Sequence, residues 1–283
     1  MLGAIIGDMV GSLYEFHPTK TKAFDIYDNR MRRTDDSLLT IAVAKALMNN
    51  YPINYDEESI NKLKNDVINE FIKAWKSDKG AGFGGMFFNW CVKASRGIVE
   101  PYNSYGNGSA MRISPVGWIA KSEEEVKVLS KAVTEVTHNH PEGLKGAEAV
   151  AMAIFMALHG SSKEEIKERM ITYYYPEIEF LDFDDLVKNY TFSEICQKSV
   201  PQAIYCFLIS ESLEDAIRNC VAIGGDCDTT GAMAGAIAEA YYQKDRLCRF
   251  EDKYLYFMID PEVEELIKDF HKMIKSKKFD KCL

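Results

Sequence analysis

Apolar residues recur at three- and four-residue intervals along most of this 283-residue chain. That spacing places them on one face of an α-helix, whereas a half-buried strand would alternate apolar and polar residues. No alternating run stands out, so the pattern predicts an all-α protein. Ser122, followed by three glutamates, is a predicted N-cap. The predicted helices cover residues 2–13, 37–48, 57–75, 85–94, 123–137, 141–158, 163–174, 201–209, 213–222, 229–243 and 261–274.

Three of these helices, at 2–13, 141–158 and 229–243, are rich in glycine and alanine. A glycine inside a helix costs about 1 kcal/mol relative to alanine, so its repeated use needs a compensating gain. Close approach of helix backbones around a common centre is the simplest such gain. No linker-like or low-complexity tract divides the chain, and we predict one domain, residues 1–283.

Two segments have no helical pattern over most of their length. Residues 14–33 are polar and aromatic, and residues 76–112 surround one short predicted helix. Long irregular segments within a domain are usually functional. The second segment is dense in glycine, and successive backbone N–H groups in such turns can bind anions. Its glycines are Gly80, Gly82, Gly84, Gly85, Gly97, Gly106 and Gly108.

The net charge of −9 argues against nucleic acid or an anionic membrane as the main partner, because both reward a basic surface. The seven cysteines include no C-x-x-C pair, which argues against a disulfide framework or a zinc knuckle. The apolar N-terminal segment contains Asp8 and lacks a basic region, unlike a signal peptide. No apolar run reaches membrane-spanning length. These features predict a cytoplasmic protein.

Two acidic corners lie far apart in the sequence. The first is Thr34, Asp35, Asp36 and Ser37, and the second runs from Gly224 to Thr229 with Asp226 and Asp228. Each corner begins a predicted helix, and capping explains one acidic residue at such a position. Capping does not readily explain the pair Asp226 and Asp228. Together the corners offer six side-chain oxygens, which suits two hard divalent cations if the fold brings the corners together.

Five motifs, in order, give the chain a resemblance to a known family. They are GAIIGDMVGSLYEF at 3–16, TDDS at 34–37, SYGNGSAMR at 104–112, THNH at 137–140 and GGDCDT at 224–229. The chain resembles the ADP-ribosylglycohydrolase family, which includes dinitrogenase-reductase-activating glycohydrolases and ADP-ribosyl-acceptor hydrolases. The resemblance implies a single orthogonal multi-helix domain with a central dimetal cleft. It also implies a metal-dependent enzyme that releases ADP-ribose from an acceptor.

The resemblance also assigns roles to residues. The ligands of two Mg²⁺ (or Mn²⁺) ions would be Thr34, Asp35, Asp36, Asp226, Asp228 and Thr229. Glu15 matches the catalytic carboxylate of the branch that cleaves serine and related O-linked conjugates; its alternative is an ordinary surface glutamate. Residues implied to hold the substrate are Gly82, Phe83, Gly84, Ser104, Tyr105, Gly106, Asn107 and His138.

For several residues the sequence allows two interpretations. Phe83 and Tyr105 are candidates to stack on adenine or to pack in the core. Arg112 can pair with phosphate or form a salt bridge to the acidic cleft, and we favour the salt bridge. His140 is interpreted as a helix-start residue and Cys227 as a neutral packed thiol, although a thiolate there would attract softer metals.

The expected partner is an ADP-ribosylated protein or a small ADP-ribose conjugate, with no membrane and no sequence-specific nucleic acid. The protein is expected to be a monomer. O-linked serine-type conjugates are favoured as substrates, and arginine conjugates stay open. The alternatives are a non-catalytic ADP-ribose-binding protein on the same scaffold and a different dimetal hydrolase, such as a phosphatase or a nucleosidase.

Overall fold

The computed structural model describes residues 1–242 and 259–275 of the chain. This part contains no strand, only an isolated bridge between Gly106 and Ile195, so the all-α prediction is confirmed. Nor does any helix here combine the length and the apolarity needed to cross a membrane. The α-helices are α1 Leu2–Gly11, α2 Asp35–Asn49, α3 Glu57–Ser77, α4 Gly85–Ala94, α5 Ser114–Ile119, α6 Glu123–Thr134, α7 Pro141–Leu158, α8 Lys163–Tyr173, α9 Phe183–Asn189, α10 Cys196–Leu208, α11 Leu213–Ile223, α12 Cys227–Tyr242 and α13 Pro261–Lys275.

All the predicted helices are present, and Ser122 caps α6 by accepting a hydrogen bond from the Glu125 amide. The predicted helix 229–243 ends one residue outside the described residues. Helices α5 and α9 and the 3₁₀ turns Asn107–Ser109 and Pro176–Phe180 were missed, because such short elements show too few apolar repeats.

The predicted start of α10 was wrong. A proline suggested that the helix begins at residue 201, whereas it begins at Cys196 and contains Pro201. The Cys196 amide donates to the Tyr105 carbonyl at 3.0 Å, and Cys196 is fully buried. This anchor comes from a distant part of the chain, so a local pattern could not show it.

Helices α1 and α12 pack backbone against backbone at three levels. A Cβ placed on Gly3 would lie 2.2 Å from the Gly235 carbonyl oxygen of α12. One on Gly7 would lie 2.0 Å from the Gly231 carbonyl oxygen, and one on Gly11 would lie 2.3 Å from that of Cys227. Only glycine fits these positions, which confirms the predicted close approach of the small-residue helices. The contact holds the end of α1 against the beginning of α12, where the second acidic corner lies.

The irregular segment after α1 is tied down by cationic side chains. The Lys20 ammonium donates to the carbonyls of Tyr190 and Ile223 at 2.8 and 2.6 Å, thereby capping the C-terminus of α11. Arg218 of α11 donates to the carbonyls of Lys22 and Phe24 at 2.8 and 2.7 Å. These bonds fix the segment that carries Glu15 over the beginning of α12.

Candidate active site

A cleft of about 530 Å³ opens between the two acidic corners. A second hollow, about 770 Å³, lies beside α3 and residues 94–101 and is lined by none of the predicted site residues. Of the predicted site residues, those lining the cleft are Glu15, Thr34, Asp35, Asp36, Gly82, Gly84, Ser104, Tyr105, Gly106, Asn107, His138, Asp226, Asp228 and Thr229.

The two acidic corners touch. The Thr229 hydroxyl donates to Asp36 Oδ2 at 3.3 Å, and the Thr34 hydroxyl lies at the same distance from that oxygen. Thr34 also caps α2, because its side chain accepts a hydrogen bond from the Asp36 amide. The same residue therefore caps the helix and lines the site. Each corner spans an observed helix start: α2 begins at Asp35, directly after Thr34, and α12 begins at Cys227, between Asp226 and Asp228. The fold therefore gathers the predicted oxygens into one buried cluster.

The carboxylates of the cluster form two groups with one shared member. Asp8, Asp36 and Asp228 offer oxygens within 4.8 Å of one another, and so do Glu15, Asp226 and Asp228. Asp35 belongs to neither group. It lines the cleft beside Gly82: if Gly82 carried a Cβ atom, that atom would lie 3.2 Å from Asp35 Oδ1. Such groups of carboxylate oxygens could hold a divalent cation.

Asp8 is a functional residue that the sequence analysis did not place in the site. It is fully buried, and it accepts hydrogen bonds from the amides and hydroxyls of both Thr34 and Ser37. Because four donors already occupy its oxygens, we assign Asp8 to holding the turn at 34–37 rather than to binding a cation directly. Its signal in the sequence was a lone acidic residue inside an apolar, glycine-rich helix.

Burial and mutual repulsion disfavour the charged forms of the clustered carboxyl groups. Burial, and then the nearby Asp228 carboxylate, raise the pKa of Glu15 to about 8. Burial, and then the charges of Asp8 and Asp228, raise the pKa of Asp35 to about 8. Asp36 Oδ1 is buried without a hydrogen-bond partner. An all-oxygen donor set with an unsatisfied carboxylate oxygen fits a hard divalent cation.

These raised pKa values imply a pH dependence of stability in metal-free protein. Glu15 and Asp35 bind protons more tightly when folded, so the stability they contribute is present below about pH 4 and is lost as the pH rises towards about 8. A cation bound in the cluster would stabilise the charged carboxylates instead. We expect Mg²⁺ to raise the Tm more at pH 8 than at pH 5, measured by thermal melts with Mg²⁺ or EDTA. Equal shifts at both pH values would contradict this coupling.

Arg112 corrects one prediction. Within the described residues its guanidinium makes no ion pair with a carboxylate, so the favoured salt bridge was wrong. Instead the fully buried group lies 4.3 Å from the centre of the Phe71 ring and donates to the Thr137 hydroxyl at 2.6 Å. The aromatic face and the hydroxyl stabilise part of the charge, while Nε and Nη1 are buried without a hydrogen-bond partner. Burial lowers the pKa of Arg112 to about 10, which keeps it charged at neutral pH.

The contacts of His138 determine which ring nitrogen carries the proton. Nδ1 lies 2.8 Å from the Thr137 hydroxyl and 3.4 Å from Arg112 Nη2, a group that can only donate. Burial, and then the Arg112 charge, hold the pKa of His138 well below its usual value, so the ring is neutral. Nδ1 therefore accepts, and Nε2 carries the proton, beside the backbone of Gly106 and Gly108. His138 thus presents an N–H donor at the cleft.

The two candidate adenine-stacking residues differ. Phe83 stacks on Phe87, with ring centroids 5.5 Å apart, and its side chain does not line the cleft. The core interpretation therefore holds for Phe83, while Gly82 and Gly84 on either side line the cleft. Tyr105 is 45% exposed at the cleft, with its ring centroid 5.1 Å from that of His140.

Two residues near the cleft have the roles that the sequence analysis predicted for them. His140 begins α7 and accepts a hydrogen bond from the Glu142 amide at 3.1 Å, which confirms a helix-start role. Cys227 is fully buried and donates to the Gly11 carbonyl at 3.4 Å. Burial, and then the charges of Asp228 and Asp226, raise the pKa of its thiol well above the usual value. It is a neutral packed thiol, not a thiolate ligand.

A segment before α10 completes the cleft and was not predicted. The Glu194 carbonyl accepts from the Asn107 amide at 2.8 Å, while the Asn107 side chain donates to Asp226 Oδ2 at 2.6 Å. Asn107 thus links this segment to the second acidic corner. Additional cleft residues include Arg32, Phe192 and Glu194, which lie outside the five motifs, and Phe16, which ends the first motif.

Comparison with known families agrees with this arrangement. A family model described as ADP-ribosylglycohydrolase matches residues 1–276. This chain belongs to the ADP-ribosylglycohydrolase family. It is therefore an ADP-ribosyl hydrolase and acts on ADP-ribosylated substrates, as the resemblance implied.

Individual members of the family cover most of the chain. The ADP-ribosylhydrolase ARH3 of Mus musculus is 27% identical, over 87% of this chain and 84% of its own length. The ADP-ribosyl-dinitrogen-reductase glycohydrolase of Rhodospirillum rubrum is 22% identical, over 86% and 84%. A solved structure named ADP-ribosylglycohydrolase-related protein complex is 20% identical, with a TM-score of 0.71 over 96% of this chain and 95% of that one, and it shares the ADP-ribosylglycohydrolase fold.

Proposed function

We propose that this family member, folded as one domain, hydrolyses the bond between ADP-ribose and an O-linked, serine-type acceptor by means of two divalent cations. The observation that carries the proposal is the pair of carboxylate groups that share Asp228, with Glu15 in one of them. The resemblance of Glu15 and its motif to the branch that cleaves O-linked conjugates favours this substrate class, and arginine conjugates are the second choice.

The residues we assign to the cations are Thr34, Asp35, Asp36, Asp226, Asp228 and Thr229. Their donor set consists only of oxygens, which favours Mg²⁺ and also accepts Mn²⁺. A bound pair of such ions orients substrate hydroxyls and lowers the pKa of a bound water. Asp8 holds the first corner in place through its four hydrogen bonds to Thr34 and Ser37.

The protein's own groups have separate tasks in the proposed reaction. Cleavage at the anomeric carbon passes through an oxocarbenium-like state, and a carboxyl group beside the bond moves a proton. Glu15 is the half-buried carboxyl at the cleft rim, next to Asp228, and we assign that proton transfer to it. His138 would donate from Nε2 to a ligand oxygen, and the glycine turns at 82–84 and 104–107 would face the diphosphate.

A panel of defined conjugates tests the proposal. ADP-ribose linked to serine, to arginine and to acetate is incubated with the protein in Mg²⁺ or in EDTA, and free ADP-ribose is measured. We expect release from the serine conjugate in Mg²⁺ and none in EDTA. Glu15→Gln keeps the size of the side chain but cannot exchange the proton, so it should lower the rate by about 100-fold or more.

Other outcomes would assign the site differently. Tight binding of ADP-ribose without cleavage of any conjugate would indicate a binding protein on the same scaffold. Release of inorganic phosphate or of a free base would indicate a phosphatase or a nucleosidase. Full activity in EDTA would contradict the role of the cations, and unchanged turnover by Glu15→Gln would remove Glu15 from the chemistry.

A further inference from the structure

Two phenylalanines form an exposed pair at the rim of the cleft. Phe16 is 71% exposed and Phe192 is 45% exposed, although both line the cleft. Their ring centroids are 6.1 Å apart and their planes differ by 27°, so the rings stack. They come from segments separated by most of the chain, and only the fold brings them together. Aromatic rings that stay exposed beside a functional cleft are typical of a binding surface.

The two phenylalanines lie near Glu15, the residue to which we assign proton transfer during bond cleavage. Phe16 directly follows Glu15, and an oxygen of Glu15 lies within 4.8 Å of oxygens of Asp226 and Asp228. Phe192 lies two residues before Glu194, which also lines the cleft and is close enough to Glu15 to raise its pKa further. Both exposed rings therefore line the same cleft as Glu15.

We propose that Phe16 and Phe192 bind the acceptor polypeptide beside its modified residue and so favour protein-linked over small conjugates; this inference rests on the proposed function. The group on the far side of the scissile bond must lie next to Glu15. A polypeptide is too large for a cleft of about 530 Å³, so it stays at the rim. There the two rings can cover the backbone and the aliphatic parts of flanking residues.

The test compares two substrates with the same scissile bond. One is ADP-ribose on a single blocked serine, and the other is ADP-ribose on the same serine within a peptide of about ten residues. For Phe192→Ala we expect kcat/KM for the peptide to fall about tenfold, mainly through KM, because truncation of an aromatic contact weakens binding. Turnover of the single-serine conjugate and inhibition by free ADP-ribose should stay unchanged.

Matched variants separate the pair from general effects. Phe16→Ala should show the same selectivity, although it is the less clean variant because it neighbours Glu15. Phe180→Ala is the control: Phe180 is 85% exposed, at the end of the 3₁₀ turn Pro176–Phe180, and does not line the cleft. For both substrates we expect the kcat/KM of this control to equal that of the wild-type protein.

Each other outcome overturns the inference. Equal losses on both substrates, with weaker inhibition by ADP-ribose, would mean that the rings hold the nucleotide. Unchanged kinetics on both substrates would mean that the rings contact neither. Failure of the wild-type protein to cleave either conjugate would contradict the proposed function itself and the inference with it, and the wild-type rates alone distinguish this case.

Discussion

Asp228→Asn should lower ADP-ribose release by more than about 100-fold in saturating Mg²⁺. Loss of a partner that only orients a metal ligand typically costs about 10–100-fold, so loss of a carboxylate that we propose as a direct cation ligand should cost more. Asp228 belongs to both carboxylate groups of the site, and its substitution removes a charge from each. Initial rates on the serine conjugate measure the effect.

The fold of Asp228→Asn should survive. Burial, and then the charge of Asp226, raise the pKa of Asp228 well above its usual value, so the metal-free fold disfavours the charged form and should tolerate a neutral side chain of the same shape. We therefore expect an unchanged Tm in EDTA but a smaller rise in Tm on addition of Mg²⁺. Asp56→Asn is the matched control, because Asp56 is an exposed N-cap of α3 and asparagine caps equally well. Near-normal turnover by Asp228→Asn would refute the metal assignment.

Gly7→Ala should produce the largest loss of stability. The added Cβ would lie 2.0 Å from the Gly231 carbonyl oxygen, and backbone cannot rotate away as a side chain can. Helices α1 and α12 would have to separate. Overpacking of this kind costs about 3 kcal/mol, which lowers the Tm by roughly 10 °C in a domain of this size. Thermal or urea unfolding measures the change.

The rate of ADP-ribose release per molecule of folded protein should also fall in Gly7→Ala. Asp8 follows Gly7 on α1 and Asp228 lies in the first turn of α12, so separation of the helices moves the two corners apart. Gly85→Ala is the control for stability. Gly85 begins α4, and a Cβ there would have nothing within 4 Å, so its Tm should be retained or slightly raised. An unchanged Tm for Gly7→Ala would show that the close helix contact is not required.

The exceptions among the predictions have physical causes. Helix α10 begins at Cys196 because its amide reaches the distant Tyr105 carbonyl, which outweighs the local preference of Pro201 for a first helical position. Arg112 was assigned a carboxylate partner because ion pairs are the usual solution for a buried cation. The fold instead places it over the Phe71 ring and against Thr137, contacts that have no signature in a single sequence.

Most of the helices, the close contact of the glycine-rich helices, the two acidic corners and the family could be predicted from the order of residues alone. These depend on periodicity, residue size and local motifs, which are properties of neighbouring residues. Three contacts became visible in the folded protein alone: Thr229 with Asp36, Asp8 with the first corner, and Phe16 with Phe192. Such contacts join residues far apart in the chain, and their geometry comes from packing of the whole core, which no local pattern encodes.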